Sequence, residues 1–262
     1  MRLLVNGIDT FIATGGRHAD PALPCVVFLH GAGLDHSVWA LLSRWFAHHG
    51  WNVLSPDLPG HGRSRGEALQ SIGAMADWTA ALIATANARA VKLIGHSMGS
   101  LVALETAARH PQTIASLGLI GTAAAMPVSS ELLNAAKVDD HAAVEMVSIW
   151  GHGMHATLGG SLLPGLWMLG SAERLLEGAR AGVLFKDLVA CNEYRDGLGS
   201  AAKVNVPVTL ILGERDLMTP AKAGKALASA FPNARVVILK GAGHLLMSER
   251  PDEVLEALRL DL

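Results

Sequence analysis

The sequence predicts an α/β protein with a mostly parallel central sheet, helices on both of its faces and a helical insertion. Three observations lead to this prediction. Short apolar runs alternate with segments whose apolar residues recur at helical spacing, as in consecutive β-α-β units. One such run, residues 25–29, is apolar throughout, which is typical of a strand buried on both faces. The chain has 262 residues, half of them hydrophobic, which is enough for one large core.

Six strands are predicted before the insertion. Asn6 and Gly7 separate the first two and predict a hairpin turn. Pro56 ends the fourth predicted strand, and the pair His110 and Pro111 ends the last helix of this part. In order, the elements are strands 2–5, 9–13 and 25–29, helix 36–49, strand 52–55, helix 71–86, strand 91–94, a helix ending near 109, and strand 114–120.

The alternation of strands and helices stops between about Ala123 and Asn205. This stretch has mostly helical propensity, contains several glycines and holds no convincing buried strand. We therefore predict a helical cap, residues 123–205, inserted after the sixth strand of a core made of residues 1–122 and 206–262. The core resumes with strand 208–212, helix 221–230, strand 235–239 and helix 252–260.

Residues 95–99, Gly-His-Ser-Met-Gly, join a predicted strand to a predicted helix and form the most informative pattern in the chain. A serine between two glycines at such a junction is typical of a nucleophile elbow. The glycines let strand and helix approach closely, and the sharp turn exposes the hydroxyl above the start of the helix. The pattern predicts that Ser97 is a nucleophile.

A serine hydroxyl needs a nearby base, and the base needs a group that fixes its tautomer. Asp216 and His244 each follow one of the two strands predicted after the insertion. Because the carboxyl ends of parallel strands meet at one edge of a sheet, both residues should lie near Ser97. We predict that His244 is the base and that Asp216 orients it.

Two other carboxylates lie near the ends of predicted strands. Glu214 is two residues before Asp216 and is an alternative acid. Asp57 follows the fourth strand, but its surroundings predict that it stabilises a turn. The loop after the sixth strand contains no carboxylate, so Asp216 has little competition.

Acyl transfer places negative charge on the former carbonyl oxygen, and two backbone N–H groups usually bind this oxyanion. One donor should be Met98, directly after the predicted nucleophile. The other should come from the glycine-containing loop after strand 25–29, with Ala32 as the first choice and Gly33 as the alternative.

Together these segments resemble the α/β-hydrolase superfamily, in its serine-nucleophile branch. The resemblance covers nearly the whole chain and rests on residues 30–33, 57–64, 95–99, 213–216 and 241–244. It implies the α/β-hydrolase fold and a Ser-Asp-His triad. The chain looks most similar to small cytoplasmic esterases, enol-lactonases, cofactor-free haloperoxidase-like enzymes and carbon–carbon-bond hydrolases. Relatives that dehalogenate alkanes or open epoxides have aspartate as the nucleophile, so Ser97 argues against those activities.

We expect a serine hydrolase that cleaves a small-to-medium apolar carboxylic ester or lactone through an acyl-enzyme intermediate. Two alternatives stay open: a carbon–carbon-bond hydrolase of a dienoate or β-diketone, and a ligand-binding member of the fold with low turnover. The apolar residues of the cap and of the catalytic loops predict a substrate pocket, whose members are Gly33, Trp150, Met154, Trp167, Leu217 and Leu245.

Composition narrows the choice of partners. The net charge of −2 comes with no basic block, so we expect a small-molecule substrate and neither nucleic acid nor a membrane surface. The polar residues near the N-terminus and two widely separated cysteines favour a cytoplasmic location. We expect no cofactor and no metal, because His152 and His155 have no matching carboxylate or thiol pattern. A homodimer is compatible with the sequence.

Overall fold

An eight-stranded sheet forms the centre of the computed structural model, which describes residues 1–161 and 165–259. Its strands are β1 Arg2–Val5, β2 Ile8–Ala13, β3 Cys25–Leu29, β4 Asn52–Pro56, β5 Val91–His96, β6 Ile114–Ile120, β7 Val208–Gly213 and β8 Ala234–Leu239. They lie in the order β1-β2-β4-β3-β5-β6-β7-β8. β2 pairs antiparallel with β1 and β4, and β3 to β8 run parallel. The predicted fold class is confirmed.

Helices follow most of the parallel strands. Those of the core are α1 Ala40–His48, α2 Ile72–Thr85, α3 Met98–Arg109, α10 Ala221–Ala228, α11 Leu246–Glu249 and α12 Pro251–Arg259. Between β6 and β7 lie α4 Ser130–Lys137, α5 His141–Trp150, α6 Met154–Thr157, α7 Met168–Glu177, α8 Val183–Glu193 and α9 Gly197–Lys203. The described part of this helical insertion contains no strand, as predicted. The boundaries of the cap at 123 and 205 stay a prediction.

Two hydrophobic clusters, one on each face of the sheet, form the core. Side chains alternate between the faces along each strand, so neighbouring residues of β3 belong to different clusters. Val27 and Leu29 pack with residues of α2 and α3. Val26 and Phe28 pack with residues of α1, α12 and the helical insertion. This arrangement explains why the strand is apolar at every position.

Several predicted elements differ from the structure by one or two residues at an end, and two differences have a structural cause. The predicted helix 36–49 begins as a 3-10 turn, His36–Trp39, before α1. Pro56 is the last residue of its strand instead of the first residue beyond it, because β4 lies beside β2 there and the adjoining N–H of Asp57 donates to the carbonyl of Phe11 at 3.0 Å. A proline removes one donor from a ladder, and the neighbouring residue supplies the next.

No helix within residues 1–161 and 165–259 is long and apolar enough to cross a membrane. The cytoplasmic location, the homodimer and the absence of a nucleic-acid partner stay predictions.

Candidate active site

Ser97 occupies a strained turn between β5 and α3, with φ 53° and ψ −121°. A positive φ destabilises a residue other than glycine by about 1–2 kcal/mol, so neighbouring contacts must hold Ser97 in this conformation. The Ser97 N–H donates to the carbonyl of Ile120 at 2.9 Å. A Cβ on Gly95 would overlap the carbonyl of Gly99, and one on Gly99 would overlap that of Leu29. The elbow therefore requires both glycines.

His244 and Asp216 form a buried hydrogen bond, 2.7 Å from Nδ1 to Oδ2. The carboxylate also accepts bonds from the N–H groups of Met218 and Thr219 and from the Thr219 hydroxyl, at 2.7–2.8 Å. Burial alone would raise the pKa of Asp216, but the charge of His244 and these bonds outweigh it and lower the pKa. An ionised carboxylate only accepts, so the proton of a neutral imidazole lies on Nδ1.

The second ring nitrogen of His244 is available for proton transfer. Nε2 is buried and has no hydrogen-bond partner among the described residues, Ser97 included. Ser97 and His244 both line one cavity of about 190 Å³. Catalytic hydrogen bonds are often long before substrate binds, so this geometry is compatible with a base that accepts the serine proton.

The loop that carries His244 is held from two sides. His96 Nε2 donates to the carbonyl of His244 at 2.9 Å, and the N–H groups of His244 and Leu245 both donate to the carbonyl of Gly151. Burial, with the charge of His244 second, lowers the pKa of His96 to about 3, so this ring is neutral. His96 therefore positions the loop and does not compete for the serine proton.

A buried carboxylate ties the same loop to the helical insertion. Glu249 accepts hydrogen bonds from the N–H groups of Gly243 and Gly153, at 3.0–3.1 Å and 3.0 Å. Gly243 precedes His244, so the insertion and the histidine loop share one anchor. Sequence reasoning missed Glu249 because its partners lie on different segments.

Gly121 makes room for the imidazole of His244. It follows β6, has φ +56°, and a Cβ there would lie 3.0 Å from both Cε1 and Nδ1 of the ring. We expect Gly121→Ala to lower kcat by about 10- to 100-fold, because it moves the ring from its position. Gly7→Ala is the matched control, since Gly7 has φ +80° and no neighbour within 4 Å of a Cβ. Steady-state kinetics of both variants on one ester tests this, and equal kcat values would contradict it.

The loop after β3 contributes Gly31 and Ala32 to the lining of the cavity. The Ala32 N–H donates to no other group among the described residues, and the N–H of Met98, the first residue of α3, has no acceptor within its helix. The N–H of Gly33 donates to Asp187 Oδ2 at 2.8 Å. Gly33, the alternative oxyanion donor, is therefore already occupied, and this geometry favours Ala32.

Three of the six predicted pocket residues line the cavity: Trp150, Leu217 and Leu245. The other three do not. Met154 and Trp167 are absent from the cavity lining, and they are 77% and 65% exposed. Gly33 faces a neighbouring cavity because its loop turns away at that point.

Sequence reasoning missed the contribution of α8. Leu184, Leu188 and Cys191 line the cavity from one face of this helix, at spacings of four and three residues. This helical spacing is visible in the sequence, but it does not show which part of the fold this face of the helix contacts. The cavity is mainly apolar, and its described lining contains no Asp, Glu, Lys or Arg.

The sequence profile of the alpha/beta hydrolase family matches residues 26–257, most of the chain. The chain belongs to the alpha/beta hydrolase family. It is 31% identical over 248 residues to the pimeloyl-[acyl-carrier protein] methyl ester esterase of Aromatoleum aromaticum. The aligned region covers 88% of this chain and 94% of that relative. The corresponding esterase of Chromobacterium violaceum is 30% identical and covers 96% and 97%.

Solved structures agree on the fold of this hydrolase. The enol-lactonase of Burkholderia xenovorans LB400 superposes with a TM-score of 0.88 at 24% identity, covering 99% of this chain and 98% of that one. An esterase of Exiguobacterium antarcticum superposes with a TM-score of 0.85 at 17% identity, covering 98% and 96%. The resemblance expected from the sequence motifs is confirmed, and the family and its relatives support an ester-cleaving hydrolase.

One group of side chains in the described part of the hydrolase has metal-ligand spacing. Ligand atoms of Asp35, His36 and Asp57 lie within 4.8 Å of one another. Both oxygens of Asp57 already accept hydrogen bonds, Oδ1 from the N–H and ring of His36 and Oδ2 from the N–H of Arg63. These bonds give Asp57 the turn-stabilising role predicted for it.

Two buried histidines should lower the stability of the hydrolase at acidic pH. Burial, followed by the charge of a neighbouring histidine, lowers the pKa of His30 to about 4 and that of His96 to about 3, from 6.5. Below pH 6.5 the unfolded chain therefore binds protons that the folded chain does not. We expect the free energy of unfolding to fall by about 2 kcal/mol per histidine between pH 6.5 and 5.

Urea unfolding at pH 6.5 and pH 5 measures this loss, and His96→Gln should roughly halve it. The pKa values of His36 and His61 are raised, so their contributions change only above pH 6.5. The lowered pKa of Asp216 changes the free energy of unfolding only below pH 3.8. An unfolding free energy that is constant between pH 6.5 and 5 would contradict the prediction.

Proposed function

We propose that this hydrolase is a serine carboxylesterase that uses Ser97, His244 and Asp216 as its catalytic triad. One observation carries the proposal. The buried His244–Asp216 hydrogen bond leaves Nε2 without a partner in the same cavity as the strained Ser97. No other pairing of an acid with a histidine described above adjoins a serine at such a turn.

In the first half of the reaction, Ser97 Oγ attacks the ester carbonyl carbon and its proton passes to His244 Nε2. Asp216 stabilises the resulting imidazolium, as its lowered pKa favours. The tetrahedral intermediate then collapses. The bond to the alkoxy group breaks, His244 protonates that group, and an alcohol leaves.

In the second half, water attacks the acyl-enzyme and gives a proton to His244. The bond to Ser97 breaks, the proton returns to Oγ, and a carboxylic acid leaves. The N–H groups of Ala32 and Met98 bind the oxyanion in both halves, which is typically worth about 10²–10³ in kcat for each donor. This sequence of steps uses no cofactor.

The charge of the cavity supports an uncharged substrate. The described lining has no cationic side chain, and His96 is neutral. Burying a carboxylate there without a counter-charge would be costly. A dienoate carries such a carboxylate, which argues against the carbon–carbon-bond hydrolase. A β-diketone is uncharged, so it belongs in the test below.

The named activity of the curated relatives suggests the leaving group. Both are methyl ester esterases, and we propose that the methyl ester of an apolar acyl group is a substrate here. The helical insertion acts as the cap that selects the acyl group. Trp150 of α5 and Leu184 of α8 support this role because both line the cavity.

Labelling with a fluorophosphonate, followed by peptide mapping, tests the mechanism. The reagent should modify Ser97, and modification only elsewhere would overturn the triad. Labelling without steady-state hydrolysis of any ester, lactone or β-diketone would favour the low-turnover binding protein.

A matched pair of substrates tests the charge argument. The dimethyl and monomethyl esters of one medium-chain dicarboxylic acid differ only in a distant carboxylate. We expect kcat/KM for the monomethyl ester to be lower by about 10-fold or more, because its free carboxylate must be desolvated. Equal values would sink the claim that the cavity selects uncharged esters.

A further inference from the structure

A buried ion pair between the core and the helical insertion lies beside the proposed oxyanion loop. His61 Nε2 lies 2.7 Å from Asp187 Oδ2, and both side chains are almost completely buried. His61 Nδ1 lies 3.0 Å from the carbonyl of Pro59. Both ring nitrogens thus face acceptors, and only a doubly protonated imidazole can donate to both.

The charge state of His61 agrees with this geometry. Burial alone would lower the pKa of His61, but the charge and hydrogen bond of Asp187 outweigh burial and raise the pKa. His30, whose ring centroid is 4.8 Å away, has its pKa lowered by burial and by the charge of His61. The pair is therefore a cationic His61 with an anionic Asp187, next to a neutral His30.

Asp187 uses the same oxygen to hold the loop after β3. Its Oδ2 accepts the N–H of Gly33 at 2.8 Å, and its Oδ1 has no partner among the described residues. Gly33 has φ +67°, and a Cβ there would lie 3.0 Å from Leu184 and 3.1 Å from Leu176. Only glycine lets the insertion pack this closely on the loop.

The peptide before Ala32 is held from the other side. The carbonyl of Gly31 accepts the N–H of Leu34 at 3.2 Å and lies 2.9 Å from His30 Nδ1, which carries the proton because Nε2 accepts the N–H of Leu58. In a trans peptide the carbonyl and the N–H point in opposite directions. Fixing the Gly31 carbonyl therefore fixes the direction of the Ala32 N–H.

We propose that Asp187, paired with His61, is a positioning residue that preorganises the Ala32 amide for the oxyanion. It holds the Gly33 N–H, and with it the peptide that follows Ala32, while the Gly31 carbonyl is held on the other side. The proposal rests on the function assigned above to Ser97 and Ala32. Asp187 binds the N–H of Gly33, and Gly33 directly follows Ala32, with about 3.8 Å between consecutive Cα atoms. The negative charge of Asp187 would therefore oppose an oxyanion bound by the Ala32 N–H unless a cation neutralised it. His61 provides that cation.

The arrangement also links substrate selection to catalysis. Asp187 lies on α8, three residues from Leu184 and four from Cys191, which both line the cavity. The helix that shapes the acyl pocket thus also holds the oxyanion loop. Any movement of α8 away from the core would release the Gly33 N–H.

Two substitutions at one position separate the hydrogen bond from the charge. Asp187→Ala removes both, whereas Asp187→Asn retains an oxygen that can accept the Gly33 N–H. Lys186→Ala is the matched control, because Lys186 on the same helix forms an exposed ion pair with Glu67 of the core. Each variant is assayed in the full-length chain with a neutral methyl ester.

We expect Asp187→Ala to lower kcat by about 10- to 100-fold with KM within about threefold, and Asp187→Asn to lose less. The inhibition constant of a trifluoromethyl ketone, which forms an oxyanion adduct with the serine, should rise by a similar factor. That of the matching methyl ketone should not change, because it binds without forming the oxyanion. Lys186→Ala should match the wild type in all three measurements.

The outcomes separate the two proposals. If the wild-type Ser97 does not react with a fluorophosphonate, the triad and the role of Asp187 both fail. If Ser97 reacts but the variants keep wild-type affinity for the trifluoromethyl ketone, only the role of Asp187 fails. If Asp187→Ala does not fold, unchanged ketone affinity and kcat in Asp187→Asn would overturn the proposal, and a selective loss would support it.

Discussion

Replacing Ser97 by alanine should lower kcat for a neutral methyl ester by about 10⁴-fold or more. The variant loses the atom that forms the acyl-enzyme, while the cavity and the amides of the oxyanion loop are retained. The packing around residue 97 should stay unchanged, because the substitution removes only one oxygen. Single-turnover and steady-state assays measure the loss, and circular dichroism checks the fold.

Ser129 offers a matched control for that experiment. It lines the same cavity, but its hydroxyl accepts the N–H of Leu132 as the N-cap of α4. Ser129→Ala should cost about 1 kcal/mol of stability and leave kcat within about 10-fold of the wild type. If the two alanine variants lost activity equally, Ser97 would not be the nucleophile.

Asp216→Asn should lower kcat by about 10⁴-fold with little change in structure. Asparagine can retain the bonds from the N–H groups of Met218 and Thr219, which reach Oδ1. In that orientation its NH₂ group faces His244 and forces the proton of His244 onto Nε2. In the flipped orientation an uncharged oxygen faces His244, and the bonds from those two N–H groups are lost. Both orientations weaken His244 as a base, and the first also blocks transfer of the Ser97 proton to Nε2.

Glu214 distinguishes this effect from a general loss of negative charge. Its carboxylate accepts the N–H of Gly241 at 3.0 Å and lies near Arg215, whereas His244 Nδ1 is bonded to Asp216. Glu214→Gln should therefore leave kcat within about threefold of the wild type, as expected for an exposed charge. A loss as large as that of Asp216→Asn would mean that Glu214, the alternative acid, orients the base.

The strands and most helices were predictable because their patterns are local. A continuous apolar run such as β3 or β6 needs only its own residues to indicate a strand buried on both faces. The predicted bounds of both strands agree with the structure. The errors lie at element ends, such as Pro56, where pairing with a neighbouring strand decides the outcome.

The candidate site was predictable for a related reason. Ser97, Asp216 and His244 each follow a parallel strand, so the topology brings them to one sheet edge whatever the loops do in detail. The pocket was not predictable in the same way. Met154 and Trp167 are apolar and lie in the insertion, but hydrophobicity does not say whether a side chain faces a cavity or solvent.

The sequence by itself determined the fold class, the strand-end positions of the three candidate catalytic residues and the need for glycine around Ser97. These follow from periodicity and turn chemistry within short segments. Only the tertiary structure decided that the Gly33 amide is occupied, that Gly121 makes room for His244, and that α8 lines the cavity. The reason is separation along the chain: Gly33 and Asp187 are 154 residues apart, and no local pattern encodes that contact.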